Sequence, residues 1–295
     1  MLGPLTVRIA GPGGLILARL LQHHGIPCTV YEGERSRNVR SQGGMLDIHE
    51  GSGQLAIREA GLWEEFQKVV RPEADAMRLC DPSGHAWIDD NEKPKDSHDR
   101  PEIDRLELRN MLLDSLQPES ICWGKKLKSV EPAANNTHDL HFQDEDPITG
   151  FDLVVGADGA WSKVRPLVTS VMPFYSGVSG VGCQIDSTSE HYAALSELVG
   201  AGSCFVIGDN AAIIAQRNGN GTLKVYAYRR APENWLKDCG IDWKDAKAAK
   251  AELVRRYYDD WMQGYKDLIL QSGDELDPRP LYMLPIGIEW APRPG

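Results

Sequence analysis

No two cysteines in this chain stand at the C-x-x-C spacing, and none has a histidine at metal-ligand spacing: Cys28, Cys80, Cys122, Cys183, Cys204 and Cys239 are scattered singly. No metal site is expected, and the six read as small buried hydrophobes in a reducing compartment. Clustered Lys and Arg are missing too. With 32 basic against 43 acidic residues the net charge is -11, which argues against a nucleic-acid partner. No apolar run approaches membrane-spanning length, and Met1-Leu2-Gly3-Pro4 leads almost directly into a β-prone stretch with no room for a signal peptide. These absences point to a soluble, cytoplasmic protein with a small-molecule ligand. Its oligomeric state is not encoded in any of them.

What is present is globular. The 295 residues, 41% hydrophobic and 25% charged, can bury a full core and are enough for two domains. The organising stretch runs from Leu5 to Glu32. Thr6-Val7-Arg8-Ile9 predicts a strand, Gly11-Pro12-Gly13-Gly14 a turn, Leu15 to Leu21 a buried helix stopped at Gly25, and Pro27 to Tyr31 a second strand ending on Glu32. Glycines let the backbone approach a pyrophosphate, a helix N-terminus offers free N–H groups, and an acid at the next strand's tip accepts from a ribose. The separation from Gly11 to Glu32 is about the 20 residues that a dinucleotide fingerprint requires. The first glycine of that fingerprint is missing, because Ile9 stands in its place and a β-branched residue takes such a turn poorly.

Beyond Glu32 lies an Arg-rich loop that includes Arg40, then Gly43-Gly44 and the alternating Leu46 and Ile48, a turn into a short strand. Ser52 is placed to cap a helix carrying Leu55, Ala56, Ala60, Leu62 and Phe66. Met77 to Ile88 predicts a hairpin about Pro82-Ser83-Gly84, and 89–99 a polar surface loop. Asp104 and Glu107 have capping-box spacing ahead of a helix from Leu106 to Leu116 that buries Leu106, Met111, Leu112 and Leu116. Arg105 and Arg109 fall four apart on that helix, two cations near an N-terminus that an anion would relieve. Phe151 to Val155 is a buried strand running into Gly156-Ala157-Asp158-Gly159, which sets a carboxylate at the sheet's carboxyl edge. From Val171 the pattern becomes mostly antiparallel sheet, with strands near 178–185, 203–207, 211–216 and 223–229 and a hairpin at Asn218-Gly219-Asn220-Gly221. One helix from Trp243 to Trp261 and a strand from Leu281 to Ile286 complete the expected elements.

Together, Gly11-Pro12-Gly13-Gly14, Tyr31-Glu32, Gly43 to Gln54, Arg100 to Arg109, Gly156 to Gly159 and Ser162-Lys163-Val164-Arg165 resemble the FAD-dependent aromatic hydroxylases, the class A flavoprotein monooxygenases. The likeness is nearest to the tetracycline-degrading monooxygenases and their fungal relatives. It implies an α/β fold in which a discontinuous Rossmann-like FAD-binding domain, residues 1–72, 101–168 and 280–295, carries a mostly antiparallel β-sheet substrate domain, residues 73–100 and 169–279. It further implies that Gly11, Gly13, Gly14, Glu32, Arg40, Gly44, Asp47, Arg105, Arg109, Asp158 and Gly159 serve FAD. Within that set Glu32 would take the adenosine ribose, Arg109 the pyrophosphate or ribityl region, and residues 42–47 the flavin ring. Such enzymes reduce FAD with NADPH or NADH and use O2 to hydroxylate an activated ring. The family's second flavin motif, Gly-Asp with Ala-Ala-His, is expected beyond Gly295, and Gly208-Asp209 is not a substitute because it falls between strands of the sheet domain.

Each residue also has a bland reading. For Arg109 it is an ion pair with Glu107 or Asp114, for His49 a structural hydrogen bond, and for Trp87 and Trp161 core packing in preference to an aromatic substrate site. Three functions remain in view: an FAD monooxygenase, a degenerate or truncated flavin-fold protein with weak or no FAD binding, and an NAD(P) dehydrogenase. The last is disfavoured by the Gly-x-Asp-Gly motif and by the lack of a Tyr-x-x-x-Lys pair.

Overall fold

Strand β1 (Leu5–Ile9) pairs in parallel with β2 (Cys28–Tyr31) on one side and β11 (Val154–Ala157) on the other, and β2 continues to β7 (Ile121–Cys122). The computed structural model describes residues 5–9, 11–38, 43–91 and 100–292, the first of these segments as backbone. Parallel neighbours need a crossover, and α1 (Pro12–His23) supplies the one between β1 and β2. It begins at an extended Gly11 with Pro12 in the first turn, where a missing N–H costs nothing, and the chain leaves it through Gly25 at φ 70°. Leu15 and Ala18 of α1 pack with Leu108 and Leu112 of α4 (Arg105–Ser115) in one core. Ile9 remains a ladder residue opposite Ala157. The position expected to turn in place of a first glycine is therefore strand, and the helix N-cap is Gly11.

Between these elements β3 (Met45–Asp47) and β6 (Glu102–Asp104) form a two-stranded antiparallel ribbon. The single helix expected after Ser52 is instead two, α2 (Leu55–Glu59) and α3 (Trp63–Val69), separated at Gly61 with φ 70°. Ser52 lies inside a π-turn from Glu50 to Gln54 and caps nothing, and Leu55 is exposed while Ile57 takes the buried position. On α4, Leu106 is likewise exposed, and Leu108, Arg109, Leu112 and Leu113 face inward. Asp104 makes no cap bond there, because its carboxylate accepts from the Gly219 amide at 2.8 Å. A three-stranded antiparallel sheet, β8 (Leu127–Pro132), β9 (His138–Phe142) and β10 (Ile148–Phe151), packs Phe142 and Phe151 against Tyr31 of β2.

A seven-stranded sheet makes up the rest. Its order is β16 (Asp277–Met283), β12 (Phe174–Ile185), β15 (Leu223–Arg230), β14 (Ala211–Arg217), β13 (Ser203–Ile207), β4 (Met77–Cys80) and β5 (Ala86–Asp89), with antiparallel neighbours throughout except β13 and β4. Helices α5 (Tyr192–Val199), α6 (Trp235–Asp238), α7 (Ala246–Tyr257) and α8 (Gln263–Leu270) cover one face of it. Val181, Cys183, Ile213, Ala215, Val225 and Ala227 meet Leu253 and Leu268 in that layer. The one helix expected from Trp243 to Trp261 is shorter, starting where Asp245 accepts from the Ala248 amide at 3.1 Å, and α5 and α8 were not anticipated. Strand β16 begins four residues ahead of its expected start at Leu281, so it runs across the domain boundary drawn at 280 and pairs with β12.

Trp87 and Trp161 are half exposed, at 54% and 50%, so core packing is not their role. Trp161 stands edge-on to Tyr282, and Trp87 lies on the outer strand β5. Cys28, Cys80, Cys183 and Cys204 are buried as expected, and Cys122 and Cys239 are partly so. Among the described residues no helix is long and apolar enough to cross a membrane.

Candidate active site

Because β1 and β11 are parallel and in register from Thr6 opposite Val154 to Ile9 opposite Ala157, whatever follows their carboxyl ends lies at one edge of the sheet. Gly11 follows the first and Asp158 the second. Among the described residues no atom outside the adjoining backbone lies within 4 Å of where a Cβ would sit on Gly11 or Gly13, so the backbone here is open to a ligand. The first turn of α1 contains no acidic residue, which leaves its positive end uncompensated. Asp158 accepts from the Lys163 amide at 3.0 Å, and Gly159, at φ 80°, opens the turn that brings Lys163 back. Gly156 is tight: a Cβ there would be 2.7 Å from the Val164 Cβ.

Glu32 directly follows β2 and lines one small cavity with Gly11, Leu15, Arg109 and Trp123. Its Oε1 accepts from the Glu34 amide at 2.9 Å, and burial pushes its carboxyl above the ordinary value. Arg109 enters the same cavity from α4. Its Nη2 donates to Glu34 Oε2 at 2.8 Å and its Nη1 to the Arg37 carbonyl at 2.7 Å, while the guanidinium stands 5.7 Å from the Trp123 ring centroid. The ion pair is thus with Glu34, and not with Glu107 or Asp114. Asp114 pairs with Arg37. Arg109 fastens the loop after β2 around the cavity.

One helical turn before Arg109, about 6 Å along α4, Arg105 is exposed and its amide donates to the Gly44 carbonyl at 3.2 Å. Its side chain passes Gly43, where a Cβ would be 3.6 Å from the Arg105 Cδ. Gly43 in turn borders a pocket on the uncovered face of the seven-stranded sheet, with Gly182, Lys224, Tyr226, Asp277 and Arg279. At Gly44 a Cβ would lie 2.3 Å from Gln216 Oε1, so the Gln216 side chain closes over this glycine. Arg109 at the cavity of Gly11 and Glu32 and Arg105 beside Gly43 at the Tyr226 pocket thus stand one helical turn apart on α4.

Asp47 faces Glu102 across the β3–β6 ribbon. Burial first, then the hydrogen bond to Asp47 and the charge of Asp47, push the Glu102 carboxyl up to about 8, so it holds a proton at neutral pH. Arg71 ties this ribbon to the sheet: it donates to the Arg217 carbonyl at 2.7 Å, to the Ala201 carbonyl at 3.4 Å and to Glu73 at 3.1 Å.

The structure brings together Gly11, Glu32 and Arg109, with Gly13 and Gly14 in the first turn of α1 beside them and Asp158 and Gly159 at the adjoining strand end, and it joins Arg105 to Gly44 next to the sheet pocket. Asp47 is exposed at the ribbon's end. Arg40 and Gln42 lie outside the described residues. Gly208-Asp209 falls between β13 and β14, as expected. Sequence reasoning missed Glu34, Arg71, Glu102, Tyr226, Tyr228 and Arg279. Only the two tyrosines carried a signal, the alternation Val225-Tyr226-Ala227-Tyr228 in which the aromatic residues share one face.

The donor set at the sheet edge, open glycines at a helix start free of acidic residues with a carboxylate at the next strand's tip, fits a dinucleotide's pyrophosphate and ribose. A family model for the FAD binding domain matches residues 7–247. The monooxygenase penA of Penicillium thymicola is 29% identical over 94% of this chain and 73% of its own length. The crystal structure of Klebsiella pneumoniae HpxO complexed with FAD and uric acid superposes with a TM-score of 0.72 at 21% identity, over 95% of this chain and 68% of that one. That of the tetracycline destructase Tet(51) does so with a TM-score of 0.63 at 18% identity, over 97% and 71%. The two structural likenesses are statements about fold.

Proposed function

Because the chain belongs to the FAD-binding family of flavoprotein monooxygenases, we propose that it takes electrons from NADPH or NADH onto FAD and, with O2, hydroxylates a small aromatic or polycyclic molecule. The observation that carries this reading is the link along α4, where Arg109 lines the cavity of Gly11 and Glu32 and Arg105 abuts the Gly43 side of the sheet pocket. An elongated dinucleotide suits such a path, with its adenosine end at one site and its ring at the other.

In this reading the parallel sheet with α1 and α4 is a Rossmann-like unit and the seven-stranded sheet is the substrate unit, β16 included. Glu32 accepts from the adenosine ribose. Gly11 and Gly13, ahead of the buried Gly14, offer open backbone to the pyrophosphate, and Arg109 adds positive charge beside it. Asp158 and Gly159 close the same edge, and Gly44, Asp47 and Arg105 border the ring. Bound FAD supplies the electron and oxygen chemistry. The protein's own residues bind, orient and exclude water, the pocket side chains holding the substrate ring against the cofactor end. Six unpaired cysteines suit a reducing cytoplasm.

The test is to purify the protein, record its visible spectrum, titrate it with FAD by flavin fluorescence and follow NADPH and NADH oxidation with aromatic compounds present. Saturable flavin binding and oxidation stimulated by an aromatic compound are expected. A colourless protein that takes up no FAD, or one that binds FAD and oxidises neither nucleotide, overturns the proposal.

A further inference from the structure

Glu102 and Asp47 stand directly opposite each other in the β3–β6 ribbon, so their side chains leave the same face of it. The two differ in freedom. Glu102 is 6% exposed, and its backbone is held on both edges, by the ladder to β3 and by Arg71, whose amide donates to the Glu102 carbonyl at 2.7 Å and whose carbonyl accepts from the Glu102 amide at 3.3 Å. Asp47 ends its strand and is exposed.

Three charged groups of neighbouring elements face the Glu102 carboxyl: Asp47 from β3, and Arg71 and Asp75 from the segment after α3. Arg71, the one cation among them, directs its guanidinium to Glu73 and to the Arg217 and Ala201 carbonyls, and makes no bond to the Glu102 carboxyl. Asp104, on the same face of β6, is occupied by the Gly219 amide. Among the described residues no donor reaches Glu102 Oε2, which is fully buried. A carboxyl that is buried beside a second carboxyl, with no donor for one of its oxygens, is satisfied by keeping its proton and donating it to its neighbour. Its acidity, displaced up to about 8, agrees with that.

We propose that Glu102 is a positioning residue, which shares its proton with Asp47 and so fixes that exposed carboxylate at the ring end of the flavin site. This rests on the monooxygenase reading above, in which Asp47 borders the ring. With the proton shared, the two groups carry one negative charge between them and are drawn together. Once the proton passes to water, two like charges lie on directly opposite residues, and the exposed member is driven outward. The hold on flavin is therefore full below the folded value of Glu102 and weakens above it.

The experiment has two arms, both on the full chain, with melting temperatures at each pH to show that every variant is folded. In the first, infrared spectra of the flavin-free protein are recorded from about pH 6 to about pH 9. A carboxylic-acid carbonyl band that fades as pH rises is expected, absent from Glu102→Gln and fading at lower pH in Asp47→Asn, where the neighbouring charge is gone. No such band, one that persists in Glu102→Gln, or one unmoved in Asp47→Asn overturns the shared proton. In the second arm FAD is titrated by flavin fluorescence over the same range. Native affinity is expected to fall about five- to tenfold by pH 9, the most that loss of one proton near pH 8 allows, and by less than about twofold in Glu102→Gln, whose amide donates without titrating. If Glu102→Gln does not fold, Asp47→Asn, changed at an exposed site, should lose the step as well. Glu102→Leu, which packs but cannot donate, should bind FAD weakly at every pH. FAD binding with no pH step in the native protein, or a step kept in Glu102→Gln, overturns the positioning role and leaves the proposed function. A chain that shows the shared proton yet takes up no FAD at any pH sinks the proposed function and leaves the pair.

Discussion

Arg109 and Glu34 meet at 2.8 Å although 75 positions separate them, with side chains only 7% and 15% exposed. The pair joins α4 to the loop that leaves β2, and its Arg109 lines the cavity containing Gly11 and Glu32. Arg109→Met removes the donor from Glu34 Oε2 and from the Arg37 carbonyl and is expected to destabilise the protein by roughly 1 to 3 kcal/mol. Urea denaturation measures it, with Arg255→Met, an exposed residue of α7 paired to Glu252, as a comparison expected to cost clearly less because water screens that pair. Equal losses in the two variants would show that the Arg109 pair is no stronger than a surface one.

The Glu102 carboxyl gives stability a defined pH dependence. Its folded value, about 8, is above that of an unfolded glutamate, so the native state holds a proton that the unfolded state has released. Its contribution is full below the unfolded value and is lost as pH rises through the folded one. The slope approaches about 1.4 kcal/mol per pH unit between them. Glu102→Gln cannot titrate, so its melting temperature should vary less between pH 5 and pH 8 than that of the native protein, on a scale set by that slope. Parallel curves would assign the titration to another group.

Glu32→Ala tests the ribose assignment. A hydrogen bond to a charged acceptor contributes about 1.5 to 3 kcal/mol, so FAD affinity should fall roughly 10- to 100-fold. Flavin fluorescence titration reads it, and an unchanged dissociation constant removes Glu32 from the cofactor site.

Arg71→Met should loosen the junction between the ribbon and the large sheet, because the Arg217 and Ala201 carbonyls lose their donor. Losses of about 1 to 3 kcal/mol are usual for such groups. Amide exchange should quicken in residues 201–203 and 217–222 and stay unchanged in β1 and β2. Acceleration spread evenly over both sheets would place the effect elsewhere.

The unit from β1 to Glu32 was legible because its elements change period in order, from alternation to a glycine turn to a continuous apolar run, all within one short stretch. The Asn218 to Gly221 hairpin was legible for the same local reason. Gly61 held a visible signal too, yet the apolar residues on both sides of it suggested one helix; only its positive φ separates α2 from α3. Arg109 shows the limit. Its helix and its place on that helix follow from sequence, but its partner is set by how α4 packs beside β2. Tyr226 and Tyr228 show another: alternation tells that two faces differ, and only the packing of α5 to α8 tells which one is left open.

That one-sided cover has a consequence for how the protein can change. Along β15, Val225 and Ala227 must suit the helices as well as their own strand, whereas among the described residues Tyr226 and Tyr228, one position away, have no helical layer above them. A substitution at the first pair is felt through two layers, and one at the second is felt mainly by whatever occupies the pocket. The same strand therefore carries a conservative script and a permissive one in alternate letters. New small molecules can be accommodated by rewriting the permissive letters while the frame beneath them stays in register.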